Sequence, residues 1–173
     1  KGWTDCVLIE RKELTSGSTW HAAGLLPLFN MSYSVGQIHK YSVDLYGRLE
    51  EETGQYAGLS RVSNIRLATT QDRMDEYKQY AGVAQTIGVQ VDVLTPDEVV
   101  DIWPLAVKDN LIGAIRHPMD GYIQPADLTQ ALAKGARDIG GQIYRNTNVT
   151  AITRTTSGEW KVTTDKGEVI CEH

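Results

Sequence analysis

The sequence predicts an α/β fold with an inserted antiparallel part. Three observations predict it. Residues 5–10 (DCVLIE) form a short apolar run ending in an acid, the pattern of a buried parallel strand with a carboxylate at its C-terminal tip. Helical and strand-like runs then alternate in mixed order rather than as strict strand-helix pairs. Toward the end, WKVTTDKG followed by EVICEH reads as two strands of a meander. With 173 residues, 41% hydrophobic and 23% charged, the chain has the balance of a protein that buries a core.

The elements follow in order. Ser34 with Gln37 predicts a capping box, and Ile38, Tyr41, Leu45 and Leu49 share one helical face before Gly54 stops the helix. NIRLATT from Asn64 reads as a strand. Residues 72–87 repeat the helical pattern with Met74, Tyr77, Ala81 and Ala84 on one stripe, closed by Gly88. VQVDVL from Val89 is a strand. Thr95, Pro96 and Glu98 supply the N-cap, first-turn proline and capping-box acid of a short helix ending near Trp103. LIGAIR from Leu111 is a strand, DGYIQP (120–125) resembles a turn of a known family, and Pro125 starts a helix. That helix carries Leu128, Leu132, Ala136 and Ile139 on its apolar face and stops at Gly140 and Gly141. QIYR from Gln142 and NVTAIT from Asn148 are further strands.

Charge and cysteine usage narrow the function. A net charge of -5 offers no field for nucleic acid or an anionic membrane, so neither is an expected partner. No apolar stretch is long enough to span a bilayer. Cys6 and Cys171 stand in strand-like apolar contexts without metal-ligand spacing, which predicts buried thiols in a reducing compartment and no metal site.

The most unusual stretch is 14–25, LTSGSTWHAAGL, directly after the strand and its acid. Thr15, Ser16, Gly17, Ser18, Thr19, Ala22, Ala23 and Gly24 surround one Trp20-His21 pair. Small and hydroxyl residues let a backbone approach a large polar ligand closely. A position beside Glu10 aims that ligand at the mouth of the sheet, where an acid at a strand tip accepts hydrogen bonds from ribose hydroxyls. A glycine-rich turn is expected about 20 residues before such an acid, upstream of Lys1, so the chain reads as an internal fragment that by itself binds little dinucleotide. Alternatives stay open at this level: an exposed strand-end charge is the lesser reading of Glu10, and a satisfied loop or core residue is a reading of His21. His39 lies on the polar side of its helix, His117 precedes Pro118 at a strand end, and both read as structural. The run Glu50, Glu51, Glu52 reads as a solvated face.

The run LIERKELTSGSTWHAAGL, together with RLEEETG, NIRLATT, DGYIQPADLTQALAKGAR and NVTAI, resembles the dimethylglycine dehydrogenase and sarcosine dehydrogenase family, FAD enzymes of the D-amino-acid oxidase superfamily. The resemblance covers essentially the whole chain. GSTWHAAG favours the dimethylglycine branch, because sarcosine enzymes more often resemble GTTWHTAG. The resemblance implies a truncated FAD-binding Rossmann-like domain from 1–30 and 125–173, with an inserted antiparallel substrate domain across 31–124. It implies that His21 is joined to the flavin 8α-methyl; a neutral imidazole is a nucleophile suited to that carbon. It also implies that Arg11 lies along the adenosine, although a solvated surface charge is at least as natural a reading. Gly17, Ser18, Thr19, Trp20, Ala22, Ala23, Gly24 and Leu25 would wrap the ribityl chain and pyrophosphate by backbone amides and by the Ser18 and Thr19 hydroxyls. The backbone of Val149 would meet the adenine edge, although a plain strand valine is nearly as natural a reading.

The implied reaction oxidises an N-methyl amine such as dimethylglycine, moving the equivalent of hydride to flavin. Electrons then leave to an electron-transfer flavoprotein or to oxygen. Tetrahydrofolate in a further C-terminal domain is a second implied cofactor. The implied location is a bacterial cytoplasm or the mitochondrial matrix, the cytoplasm first. The family's substrate-handling side chains lie largely beyond His173, so no catalytic acid or base is named. Three alternatives remain: dehydrogenation of sarcosine or another secondary or tertiary amine; a non-catalytic regulatory relative, since the family includes a phosphatase regulatory subunit; and an NAD-binding module, which gives His21 no role.

Overall fold

Eleven strands and four α-helices, together with one 3₁₀ turn, make up the described part of the chain, which in this computed structural model is Trp3 and residues 5–173. In chain order they are β1 (Val7–Ile9), the 3₁₀ turn (Ser18–His21), β2 (Leu25–Leu26), α1 (Tyr33–Thr53), β3 (Leu59–Arg61), β4 (Asn64–Ala68), α2 (Gln71–Ile87), β5 (Asp92–Leu94) and α3 (Pro96–Ile102). Then come β6 (Gly113–His117), β7 (Gly121–Ile123), α4 (Pro125–Asp138), β8 (Gln142–Tyr144), β9 (Val149–Arg154), β10 (Trp160–Thr164) and β11 (Gly167–Cys171). The contacts divide them into two units, one of residues 1–23, 49–57 and 125–173, the other of residues 24–48 and 58–124.

In the first unit β1 pairs with β8 in parallel, Val7 opposite Gln142 and Ile9 opposite Tyr144, as a strand ending in an acid predicts. β9, β10 and β11 form an antiparallel meander in the order β11-β10-β9. α4 contacts both β8 and the 3₁₀ turn. Leu49 and Ala57 pack on Ala131 and Leu128 as its core. Three expectations are corrected here. Val7 and Leu8 are 39% and 48% exposed, because β1 pairs only with β8 among the described residues. On α4 the buried side chains are Ala131 and Ala133, while Leu132 and Ile139 are exposed. Cys6 is exposed and Cys171 half-buried, so neither is a core thiol.

The second unit holds two antiparallel sheets, β2-β7-β3 and β4-β6-β5. Met74, Tyr77, Tyr80, Ala84 and Ile87 of α2 pack on Ile115, Ala68, Val43 and Leu28. Leu94 of β5, Val99 of α3 and Ala114 of β6 form a satellite core with Leu111. The Thr95 capping box forms in full: its side chain accepts from the Glu98 N–H and the Glu98 carboxylate accepts from the Thr95 N–H. Gly88 ends α2 at φ +77°, with its N–H and that of Val89 turned back to the last carbonyls, and β5 therefore starts at Asp92 rather than Val89.

Three further corrections arise in this part of the chain. α1 starts at Tyr33, which places Ser34 inside the helix instead of at its cap. Ile38 and Tyr41 are 64% and 50% exposed; the buried apolar positions of α1 are Val43 and Leu49, which serve different cores. His39, read as structural, is half-buried. DGYIQP was expected to be a turn, yet it contains β7, the central strand of its sheet. A Cβ on Gly121 would collide with the Ser60 carbonyl, so the close approach of β3 requires glycine there.

Candidate functional site

The C-terminal ends of β1 and β8 are stitched together by the loops that leave them. Glu10 donates its N–H to the Tyr144 carbonyl at 2.8 Å and accepts from the Thr147 N–H at 3.0 Å. Asn146 donates to the Lys12 carbonyl at 3.0 Å. The Glu13 carboxylate takes Arg145 at 2.6 Å and the Asn146 amide at 2.7 Å. Glu10 itself turns one carboxylate oxygen back to the Lys12 N–H at 2.8 Å, leaving the other without a partner among the described residues. Arg11 is exposed. Through Thr147, the start of β9 with Val149 belongs to the same end of the unit, and Val149 is 38% exposed.

The 3₁₀ turn follows Thr15 at φ +75° and Gly17, around whose Cα nothing lies within 4 Å of an added Cβ. Trp20 donates to the Gly17 carbonyl at 3.3 Å and Ala22 to Thr19 at 3.2 Å, which closes the turn. Ser18, Trp20, His21, Ala22 and Ala23 are exposed, Trp20 at 79%, and Thr19 is half-buried. His21 Nδ1 lies 3.2 Å from the Gly17 carbonyl oxygen. A carbonyl only accepts, so this contact requires a proton on Nδ1 and, in the neutral ring, a free lone pair on Nε2. Gly24 and Leu25 belong to the second unit, where the Gly24 carbonyl accepts from Ile123 at 2.8 Å and Leu25 pairs with Tyr122.

The residues present fit a dinucleotide at the first unit's strand ends. The loop is open where an added Cβ at Gly17 meets nothing, Ser18 is exposed and Thr19 half-buried, and one Glu10 oxygen is uncommitted. A cavity of about 760 Å³ in the same unit, lined by Cys6, Val7, Ile9, Val162, Val169 and Cys171 among others, contains only Ile9 from beside that loop and no expected cofactor residue. No group of three His, Cys, Asp or Glu side chains among the described residues is placed to hold a metal, and no helix is long and apolar enough to cross a membrane.

Sequence reasoning missed a buried polar cluster in the second unit. Asn64 pairs with His117 across β4 and β6, so Asn64, Arg66 and His117 share the sheet face that α2 covers. His117 is 0% and Asp120 1% exposed. The Tyr80 hydroxyl lies 3.0 Å from the Leu28 carbonyl and 3.1 Å from His117 Nε2. Its one proton goes to the carbonyl, so Nε2 donates to the hydroxyl oxygen. Arg66 stacks over Phe29 at 4.6 Å. Burial pushes Tyr80 up to about 12, against the Asn30 amide that lowers it. Burial, with help from Arg66, pushes His117 down to about 4. Burial raises Asp120 to about 6, opposed by the Leu28 amide and Arg66. The available signal was a polar alternation, Asn64 and Arg66, on a strand whose apolar residues also face a core.

The sequence profile described as FAD dependent oxidoreductase (DAO) matches residues 1–173. The chain is 40% identical over 168 residues to the mitochondrial dimethylglycine dehydrogenase of Rattus norvegicus, covering 97% of this chain and 20% of that one. It is 37% identical over 171 residues to the 4-methylaminobutanoate oxidase (formaldehyde-forming) of Paenarthrobacter nicotinovorans, covering 99% and 21%. It thus spans about one fifth of the length of these relatives. Among solved structures, L-proline dehydrogenase from P. horikoshii superposes with a TM-score of 0.86 at 24% identity, over 97% of this chain and 44% of that one. The strand-end loop, the mixed fold and the full-length profile match agree, and the chain belongs to the FAD dependent oxidoreductase family.

Proposed function

We propose that the protein containing this chain oxidises an N-methyl amine with FAD bonded to His21. The observation that carries the reading is the hydrogen bond from His21 Nδ1 to the Gly17 carbonyl, which leaves Nε2 as the nucleophilic nitrogen of an exposed ring at the end of the β1 loop. Support for the substrate class comes from relatives named for dimethylglycine and 4-methylaminobutanoate, both N-methyl amines. FAD supplies the two-electron acceptor.

The chain's residues take the remaining roles. The free Glu10 oxygen accepts from the adenosine ribose hydroxyls, Arg11 lies along the adenosine, and the Val149 backbone meets the adenine edge. Ser18 and Thr19 hydroxyls and the backbone of Gly17, Trp20, Ala22, Ala23, Gly24 and Leu25 follow the pyrophosphate and ribityl chain. His21 would hold the flavin at its 8α carbon through Nε2, an attachment that releases two protons and two electrons, for which dioxygen would be the acceptor. The domain division follows the same reading, with 1–30 and 125–173 in the flavin domain and 31–124 in the substrate domain. Electrons from the amine leave to an electron-transfer flavoprotein or oxygen, tetrahydrofolate serves a C-terminal domain, and the location is a bacterial cytoplasm or the mitochondrial matrix.

The test is acid precipitation of the full-length protein. The denatured protein is expected to keep flavin fluorescence, and His21→Ala to release it to the supernatant. Flavin retained in the variant sinks the assignment. A full-length protein without any flavin would instead support the regulatory alternative.

A further inference from the structure

Within the first unit, the loop that carries His21 is held at its base by a charged clamp. The Glu13 carboxylate accepts from Arg145 at 2.6 Å through one oxygen and from the Asn146 amide at 2.7 Å through the other. Asn146 returns its own N–H to the Lys12 carbonyl at 3.0 Å, from a left-handed backbone at φ +54° that asparagine tolerates. Immediately beyond, the Ser16 N–H donates to the Glu13 carbonyl at 3.2 Å and closes a tight turn. The third residue of that turn is Thr15 at φ +75°, where glycine or asparagine sits without cost and a β-branched side chain is strained. Such strain persists only where the surroundings impose it. Gly17 follows at once, and its carbonyl takes both the Trp20 N–H at 3.3 Å and His21 Nδ1 at 3.2 Å. α4 lies against the 3₁₀ turn, yet no side chain from Ser18 to His21 is buried, so the ring follows the Gly17 carbonyl rather than a packed wall.

We propose that Glu13, clamped by Arg145 and Asn146, is a positioning residue for His21: it braces the strained turn at Thr15, thereby sets the Gly17 carbonyl that orients the ring, and formation of the histidine-flavin bond depends on it. The proposal rests on the His21 reading above. The attachment, which releases two protons and two electrons to dioxygen, needs one nitrogen held within reach of one carbon. A displacement of about 1 Å is enough to cost roughly a hundredfold in rate. Without the clamp, Thr15 relaxes toward negative φ, and Gly17 and the ring move with it. Binding of FAD, shared among many backbone contacts, is far less sensitive to that displacement. Arg145 and Glu13 are 52% and 56% exposed, and an ion pair that open adds little to global stability, so its loss acts locally.

The experiment uses the full-length protein, measuring total bound FAD, the acid-stable fraction over time and the melting temperature. Glu13→Ala is expected to bind FAD and to melt close to the parent, but to form acid-stable flavin about tenfold or more slowly. Glu13→Gln keeps an oxygen for the Asn146 amide and is expected to attach flavin faster than Glu13→Ala. Thr15→Gly added to Glu13→Ala suits the left-handed position, so the turn no longer needs bracing, and this double variant is also expected to attach flavin faster than Glu13→Ala. Parent-rate attachment in Glu13→Ala overturns the proposal, as does a Glu13→Gln or double variant no faster than Glu13→Ala. Loss of total FAD or of melting temperature in step with the acid-stable fraction also overturns it, being the mark of a merely structural role. Should Glu13→Ala fail to fold, Asn146→Gly, which suits φ +54° but loses the amide bonded to Glu13, decides alone by whether attachment slows. His21→Ala run beside them separates the two ideas. Acid-stable flavin surviving in that variant removes the His21 reading, whereas its loss there combined with parent-rate attachment in Glu13→Ala removes only the role of Glu13.

Discussion

Asp120 and His117 titrate in opposite senses from within one buried cluster. Asp120, raised from 3.8 to about 6, binds its proton more tightly when folded, so its contribution is complete below the ordinary carboxylate range and is lost as pH rises toward 6. His117, lowered from 6.5 to about 4, contributes fully above 6.5 and loses its contribution as pH falls toward 4. Between pH 4 and 6 the two slopes oppose, each worth on the order of 2 kcal/mol. Arg66 acts on both titrations and Asp92 on that of His117, whose ring is bonded to the Tyr80 hydroxyl. Asp120→Asn is therefore expected to unmask the histidine, giving a melting temperature that rises from pH 4.5 to 6.5 more steeply than the parent's. An unchanged slope in thermal melts would count against the assignment. Little of this was legible in the sequence: His117 read as structural, correctly, but nothing local to Asp120 or Tyr80 announces burial, because the groups that enclose them come from Leu28, Ser63 and Arg66, far away in the chain.

Elements whose signals are local were the most legible. The Thr95 box and the left-handed Gly88 are set by neighbours within four residues, so both formed where their spacing predicts. Thr95→Ala is expected to cost about 1 kcal/mol. Gly88→Ala forces a side chain into a φ of +77° and should also cost about 1 kcal/mol. Both losses are read as lowered urea midpoints at unchanged slope, and a Thr95→Ala midpoint equal to the parent's would show that the cap contributes nothing. Apolar faces were less legible. Ile38, Leu132 and Ile139 have the right spacing yet are exposed, while Ala131 and Ala133 are buried, because helical periodicity names a stripe and the neighbouring elements choose which stripe is covered. The exposed Glu50, Glu51 and Glu52 follow the simple rule.

At the scale of the whole molecule, the proposed chemistry selects substrates by the nitrogen lone pair. Dimethylglycine and sarcosine each carry one and can yield an iminium by loss of hydride; betaine, a quaternary ammonium, cannot. Anaerobic flavin bleaching in the full-length protein is expected with the first two and absent with betaine, and bleaching by betaine alone would overturn the N-methyl amine reading. Sequence by itself determined the α/β class, the parallel strand ending in Glu10, and the small-residue loop with His21 as its one imidazole, since these rest on residue type and spacing along a few turns of chain. Only the tertiary structure decided that β7 is a central strand rather than a turn, that Cys6 lies exposed, that His21 presents Nε2, and that Leu28 is held by Asp120 and Tyr80. Each of these depends on which distant atoms meet, and side chains 52 and 92 residues away from Leu28 leave no mark in its local pattern.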